Sequence, residues 1–293
     1  MGAFEFKSWI AAARPKTLTA SISPVLVAWA LAYSAGTLKW IPAILCLSVA
    51  FFAQIAANFV NDYFDFKKGA DTSERLGQPR AVASGWITPE AMLRGALITL
   101  GVACLCGCGL LFFSDWWLIF VGITIAIGVI AYSAGPYPLA YHGWGDICVL
   151  VFYGVVPLCF TYYVCAGEFT LTVFLLSLVM GFLSTNILVV NNYRDFQQDK
   201  AAGKHTSIVI FGLKFGRILY LVNAIFAVIF AYPVYGHRSM GIWFMFVVFL
   251  LIELFTWKDL SRLHGSELNR TLEITARNVL LFAMLLVFVL LKK

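Results

Sequence analysis

Residues 41–60 read IPAILCLSVAFFAQIAANFV, and the next six are Asn61-Asp62-Tyr63-Phe64-Asp65-Phe66. An uncharged run of that length crosses ~30 Å of hydrocarbon as a helix. Carboxylates set at the end of such a run are costly unless something pairs with them. The phrase returns 130 residues later as Asn191-Asn192-Tyr193-Arg194-Asp195-Phe196, again after an apolar run. Each copy leads into further charge, with Lys67, Lys68 and Asp71 in the first and Asp199, Lys200 and Lys204 in the second. Two matched clusters in two halves of one chain read as two walls of one polar site.

The rest of the chain resembles residues 41–60. Of its 293 residues 61% are hydrophobic and 12% charged, and the mean hydropathy is +0.86, which excludes a soluble globule. Nine apolar runs stand near 18–36, 41–60, 94–113, 116–133, 147–165, 170–190, 217–235, 240–256 and 277–291. Helices are the expected form, because backbone groups in lipid need partners within the segment and the runs lack barrel alternation. The expectation is an all-α polytopic membrane protein of nine transmembrane helices, one domain over 1–293, built as two four-helix repeats plus a ninth helix. Residues 1–17 form an amphipathic interfacial segment, with Phe4, Phe6, Trp9 and Ile10 among Glu5 and Lys7.

Seventeen of the 21 Lys and Arg fall at the N-terminus or in even-numbered loops; Lys39, Arg238, Lys292 and Lys293 stand on the other face. That bias puts the N-terminus and both acidic phrases on the cytoplasmic side of a cell (inner) membrane and the C-terminus outside. The net charge of +6 reflects this rule, and no basic stripe interleaved with aromatics calls for nucleic acid. Seven cysteines lie almost wholly inside the runs and read as small apolar filler.

Asn58, Asn61, Asp62 and Asp65 recur at three- and four-residue spacings and share a helix face. Gly69 lets that helix break, so that Asp71 can turn back. Asn191, Asp195 and Asp199 likewise share a face if the helix continues. Like charges at that spacing repel, and a divalent cation removes the conflict. Carboxylate and amide oxygens, without paired His or Cys, favour Mg²⁺ or Mn²⁺ over zinc. The bland alternative is solvated acids paired with Lys67, Lys68, Arg194 and Lys200; the matching of two clusters counts against it. Lys68, Arg75, Arg80, Arg194 and Lys204 are candidates to grip phosphate oxygens. His142 and His205 lack partners at ligand spacing. Tyr63, Tyr132, Tyr137, Tyr141 and Tyr193 are candidate cavity walls, although interfacial aromatics are ordinarily belts.

These residues resemble the UbiA-type intramembrane prenyltransferase superfamily, whose members carry Asn-Asp-x-x-Asp after the second span and Asp-x-x-x-Asp after the sixth. Within it the chain is similar to the branch that prenylates 1,4-dihydroxy-2-naphthoate in menaquinone synthesis. Arg14-Pro15-Lys16-Thr17-Leu18, Tyr132-Ser133-x-Gly135-Pro136-x-Pro138-Leu139-Ala140-Tyr141, Gly145-Asp146 and Gly203-Lys204-x-Thr206 carry the likeness. Two departures stand out. Gly69 occupies the place of a usual carboxylate, with Asp71 taking over, and Leu139-Ala140-Tyr141-His142 replaces the Lys-Arg pair of many 4-hydroxybenzoate enzymes.

The resemblance implies polyprenyl transfer from polyprenyl diphosphate to 1,4-dihydroxy-2-naphthoate, with loss of diphosphate and CO₂ to give demethylmenaquinol. It implies Asn61, Asp65, Asp195 and Asp199 as catalytic residues. Together with Asp62, Asp71 and Asn191 these would bind Mg²⁺, or Mn²⁺. Arg14, Lys16, Asn58 and the tyrosines would stand near the aromatic acceptor and the prenyl chain. Another acceptor, 4-hydroxybenzoate or homogentisate, is the alternative within the class. Outside it stand a cation-coupled transporter, disfavoured because the acids gather at one face, and a non-catalytic scaffold that would bind no metal.

Overall fold

The computed structural model describes residues 3–70 and 76–292, with side chains from residue 6 onward. Asp71 and Arg75 lie outside the described residues. Ordered along the chain are α1 (Ala3–Ala13), α2 (Pro15–Ser34), α3 (Trp40–Lys67), α4 (Pro89–Leu110), α5 (Leu118–Ala131) and α6 (Gly145–Ala166). They are followed by α7 (Leu171–Arg194), the short α8 (Phe196–Ala201) and α9 (Ser207–Phe211), then α10 (Leu213–Tyr235), α11 (Met240–Arg262) and α12 (Gly265–Leu291). Each of the nine apolar runs forms a helix. Eight are long and apolar enough to cross a membrane, whereas α5 has only 14 residues, ~21 Å of rise.

The helix ends follow local chemistry. Thr88 and Thr170 cap α4 and α7 by accepting from the Ala91 and Val173 amides. Gly69 stands at φ +67 just beyond α3, the break its sequence position calls for. In α6, Pro157 has no amide to donate, and the turns before it widen into a π segment at Val151–Val155.

Helix α3 packs chiefly on α4, and α7 chiefly on α10 and α6. Helix α12 packs on α2, so the last long helix meets the first and closes the bundle. The largest buried core lies among α2, α6, α7, α10, α11 and α12, with Leu158, Leu176, Met180, Phe246 and Phe282 at its centre. The α3–α5 half lies beside this core and walls one side of the site. Helix α1 turns Trp9 onto Phe59, at 5.3 Å between ring centroids, and leaves Phe6 and Ile10 exposed.

Candidate active site

A cavity of about 580 Å³ is walled by α2–α7 and α9. Its polar end holds Asn61, Arg80, Arg14, Asn191, Asn192 and Lys204. Toward the other end stand Cys46, Leu110, Leu111, Leu118 and Val164, all apolar. From Asn61 to Cys46 the wall follows α3 for fifteen residues, ~22 Å of helix. The two acidic phrases therefore meet at one rim.

Helix α3 delivers Asn61 and Asp65 one turn apart. The Asn61 side-chain nitrogen donates to Asp65 Oδ2 and to the Ser133 hydroxyl, both over 3.0 Å. Its oxygen accepts from Arg80 over 2.7 Å and from Arg14 over 3.3 Å. Asp65 also accepts from the Tyr141 hydroxyl over 2.8 Å and lies 3.5 Å from the Arg80 guanidinium. Arg14 reaches the site from a left-handed backbone (φ 50, ψ 71) at the α1–α2 joint, directly before Pro15. Such a conformation costs a non-glycine residue ~1–2 kcal/mol, and here it turns a cation toward the cavity.

From the second half, Asp199 pairs with Lys204 over 3.6 Å. Tyr141 joins the two sets, since Lys68 lies 4.2 Å and Lys204 5.5 Å from its ring centroid. Burial lowers the Lys68 pKa from the ordinary lysine value; Asp65 opposes this and Lys204 adds to it. Lys68 also donates to the Ser133 carbonyl over 2.8 Å. Outside Tyr141 a second pocket is lined by Lys68, Pro136, Pro138, His142, Gly203 and His205.

Several residues stand elsewhere than the sequence reading placed them. The oxygens of Asp62 accept from the Ala81 and Val82 amides, over 3.1 and 3.3 Å, so this buried carboxylate holds the loop that carries Arg80. Arg194, a phosphate candidate by sequence, makes a fork to both Asp195 oxygens at 2.7 Å and also donates to Asn191 and Asn269. The α7 helix ends at this point, with Asp195 between α7 and α8, although the Asp199 amide still reaches the Asp195 carbonyl. Lys16 pairs with Glu273 on the exposed α2–α12 face, away from the acceptor pocket. Tyr193 is buried in the core with Ile208 and Tyr220, Tyr63 packs with the cluster under α1, and Tyr137 is exposed and stacked on His142. Of the tyrosine candidates, Tyr132 lines the cavity and Tyr141 guards its polar end.

The sequence reading named Asn58 but missed Gln54 and Tyr153, which join it in a polar row along the wall. Asn58 donates to the Ala13 carbonyl over 2.8 Å, Gln54 donates to Thr17 and Asn58 over 3.3 Å, and the Tyr153 hydroxyl donates to Gln54. Tyr153 sits in the π segment, which turns its ring across the bundle toward α3.

Among the described residues no three His, Cys, Asp or Glu side chains gather as a metal cluster. The donors at the rim are amide and carboxylate oxygens. They fit a hard cation that takes one or two carboxylates from protein and the rest of its shell from phosphate, which is the habit of Mg²⁺.

Residues 21–286 match the UbiA prenyltransferase family. The chain is 36% identical over 213 residues to the 1,4-dihydroxy-2-naphthoate octaprenyltransferase of Escherichia coli, spanning 70% of this chain and 69% of that protein. It is 33% identical over 226 residues to the enzyme of the same name from Haemophilus influenzae, spanning 74% and 73%. A solved UbiA homologue from Archaeoglobus fulgidus, bound to DMAPP and Mg²⁺, superposes with a TM-score of 0.67 at 17% identity, over 98% of this chain and all of that one. With its two Asn/Asp phrases meeting at the rim of one apolar cavity, and with a family match across most of its length, this chain belongs to the UbiA prenyltransferase family.

Proposed function

We propose that the chain transfers a polyprenyl group from its diphosphate to 1,4-dihydroxy-2-naphthoate, releasing diphosphate and CO₂ and giving demethylmenaquinol. The observation that carries this reading is the cavity. Cations and oxygen donors sit at one end, the wall runs ~22 Å along α3 from there to an apolar far end, and the named relatives share about a third of their aligned residues with this chain.

Asn61, Asp65, Asn191, Asp195 and Asp199 are the donors assigned to Mg²⁺, with Asp71 retained from its sequence position and Mn²⁺ as the second choice. Bound there, the ion neutralises charge gathering on the departing diphosphate. Lys68, Arg80 and Lys204 are assigned to donate to diphosphate oxygens, bonds that strengthen as the carbon–oxygen bond lengthens. Arg75 keeps that role only from its sequence. Arg14, beside Asn58 and Thr17, is the cation assigned to the naphthoate carboxylate. The apolar walls hold the prenyl chain and exclude water from the allylic cation.

We also assign α5 as the ninth crossing, so that α2–α5 and the set α6, α7, α10 and α11 are two repeats. The pairing of α3 with α4 parallels that of α7 with α10. The Lys and Arg bias supports an N-terminus and a site on the cytoplasmic face of the cell membrane, with the C-terminus opposite.

The test supplies membranes from an expressing strain with 1,4-dihydroxy-2-naphthoate and a long prenyl diphosphate. Formation of prenylated product that EDTA abolishes and Mg²⁺ restores is expected. Product that ignores EDTA, or a preference for 4-hydroxybenzoate, would remove the assignment.

A further inference from the structure

The cavity has a second polar patch that the diphosphate site does not use. Asp146, Ser184 and Ser207 border it from α6, α7 and α9. The Ser184 hydroxyl is buried without a hydrogen-bond partner in the chain, and the Ser207 hydroxyl faces the Asp146 carboxylate without a well-aligned bond. Ser184 and Ser207 retain only 2% and 6% of their exposure. A buried polar atom left unmatched costs ~1–3 kcal/mol, so the lone Ser184 hydroxyl beside the Ser207–Asp146 pair marks a place for a polar ligand group. Ser207 stands next to the Asp146 carboxylate. The patch is fixed in place: the Thr185 hydroxyl reaches the Asp146 carbonyl at 3.5 Å, and Gly145 is hemmed by Leu188 and the Tyr132 hydroxyl.

Charge fixes which group belongs there. On the α2–α3 side the cavity presents Arg14 and Arg80; here it presents the Asp146 carboxylate, while Lys204, which also lines the cavity, is paired with Asp199. An aromatic acid bound across the cavity is drawn by its own carboxylate toward Arg14 and repelled by Asp146. A hydroxyl at the far side of its ring, by contrast, can donate to Asp146.

We propose that Asp146, flanked by Ser184 and Ser207, accepts a hydrogen bond from the 4-hydroxyl of the naphthoate acceptor and makes that hydroxyl a condition of binding. This rests on the function proposed above. No proton is lost in the step. The ring carbon forms its bond to the prenyl carbon as the allylic carbon–oxygen bond breaks, and the pair from the departing CO₂ restores the ring. The hydroxyl proton stays on its oxygen, and Asp146 acts by holding it.

The experiment measures equilibrium binding of 1,4-dihydroxy-2-naphthoate and of 1-hydroxy-2-naphthoate to the purified protein in detergent, without prenyl diphosphate. The wild-type protein should prefer the diol by at least tenfold, since a site built around a hydroxyl rejects the analogue that lacks it. In Asp146→Asn the preference should shrink to about twofold, with KM for prenyl diphosphate unchanged; the amide keeps the volume and gives up the charge. Equal binding of both acids by wild type, or an undiminished preference in Asp146→Asn, overturns the proposal. If wild type neither binds nor converts the diol, the functional reading falls and takes this one with it. If it converts the diol but Asp146→Asn still discriminates, only the present inference falls. Should Asp146→Asn fail to fold, Ser184→Ala with Ser207→Ala decides: a preference cut severalfold supports the patch, and an unchanged one overturns it.

Discussion

The Tyr141 hydroxyl lies 2.8 Å from Asp65 Oδ1, while the face of the same ring lies 4.2 Å from the Lys68 ammonium. One side chain thus orients a carboxylate of the first phrase and, through Lys204 at 5.5 Å, touches the second. Tyr141→Phe keeps the ring and deletes the bond. A hydrogen bond to a charged group is worth ~1.5–3 kcal/mol, so kcat/KM for prenyl transfer should fall about 10- to 150-fold with the melting temperature little changed. Steady-state kinetics would show it, and wild-type values in the variant would remove Tyr141 from the site.

Lys68 should give the reaction an alkaline limit. Its pKa is lowered by burial, so it loses its proton at a lower pH than an ordinary lysine does. A bound diphosphate favours the charged form and moves that pKa back up. As pH rises, kcat/KM for the prenyl diphosphate should therefore decline before kcat does. Lys68→Arg, which stays charged throughout, should lose this limb. A limb that persists belongs to another group.

Arg194 and Asp195 form a fork that is only 5% exposed at either end. Removing the acid leaves the guanidinium buried without its counter-charge, which costs ~3–5 kcal/mol. Asp195→Ala should lower the detergent melting temperature clearly, and Arg194→Met combined with it should recover part of the loss. Neither variant should transfer prenyl groups. A stable, inactive Asp195→Ala would mean that the fork matters to chemistry alone.

Where α6 crosses α7, the two backbones nearly touch. A methyl group on Gly154 would stand 2.4 Å from the Ser177 carbonyl oxygen, and one on Gly181 would stand 2.7 Å from that of Leu150. Backbone cannot yield as a side chain can, so Gly154→Ala and Gly181→Ala should each cost at least the ~1–3 kcal/mol of an overpacked core. Thermal melts in detergent would register this. Gly122→Ala, which has open space around it, is the control and should be neutral.

That open space makes Gly122 informative in another way, because it borders the apolar channel. Gly122→Phe should obstruct a long prenyl chain while sparing a ten-carbon one. The ratio of their kcat/KM values should shift by about tenfold or more toward the short substrate. An unshifted ratio would route the chain elsewhere.

The helices were legible because the bilayer permits little else: an apolar run must be helical, and each of the nine runs is. Gly69 announced its break by lacking a Cβ. The pairing of Asn61 with Asp65 followed from a spacing of four on one helix. What failed was direction across helices. Asp62 lies one residue from Asn61, yet its partners are amides about twenty positions away in a loop. Arg194 looked like any rim cation until the helix end after it turned Asp195 back onto its guanidinium. Tyr193 and Tyr63 read as cavity walls by composition, but burial decided otherwise. Tyr153 and Gln54 gave no signal, since each is ordinary alone and they meet only because the π segment turns one toward the other.

Asn269, at the start of α12, accepts from Arg194 and donates to the Leu76 carbonyl over 2.8 Å each, and Glu273 one turn on pairs with Lys16. The final hairpin therefore fastens pieces made much earlier during synthesis. A nascent chain halted before that hairpin has both acidic phrases but lacks the clasp that steadies them. Such half-made copies should leave prenyl diphosphate intact, so activity should wait until α12 is in place.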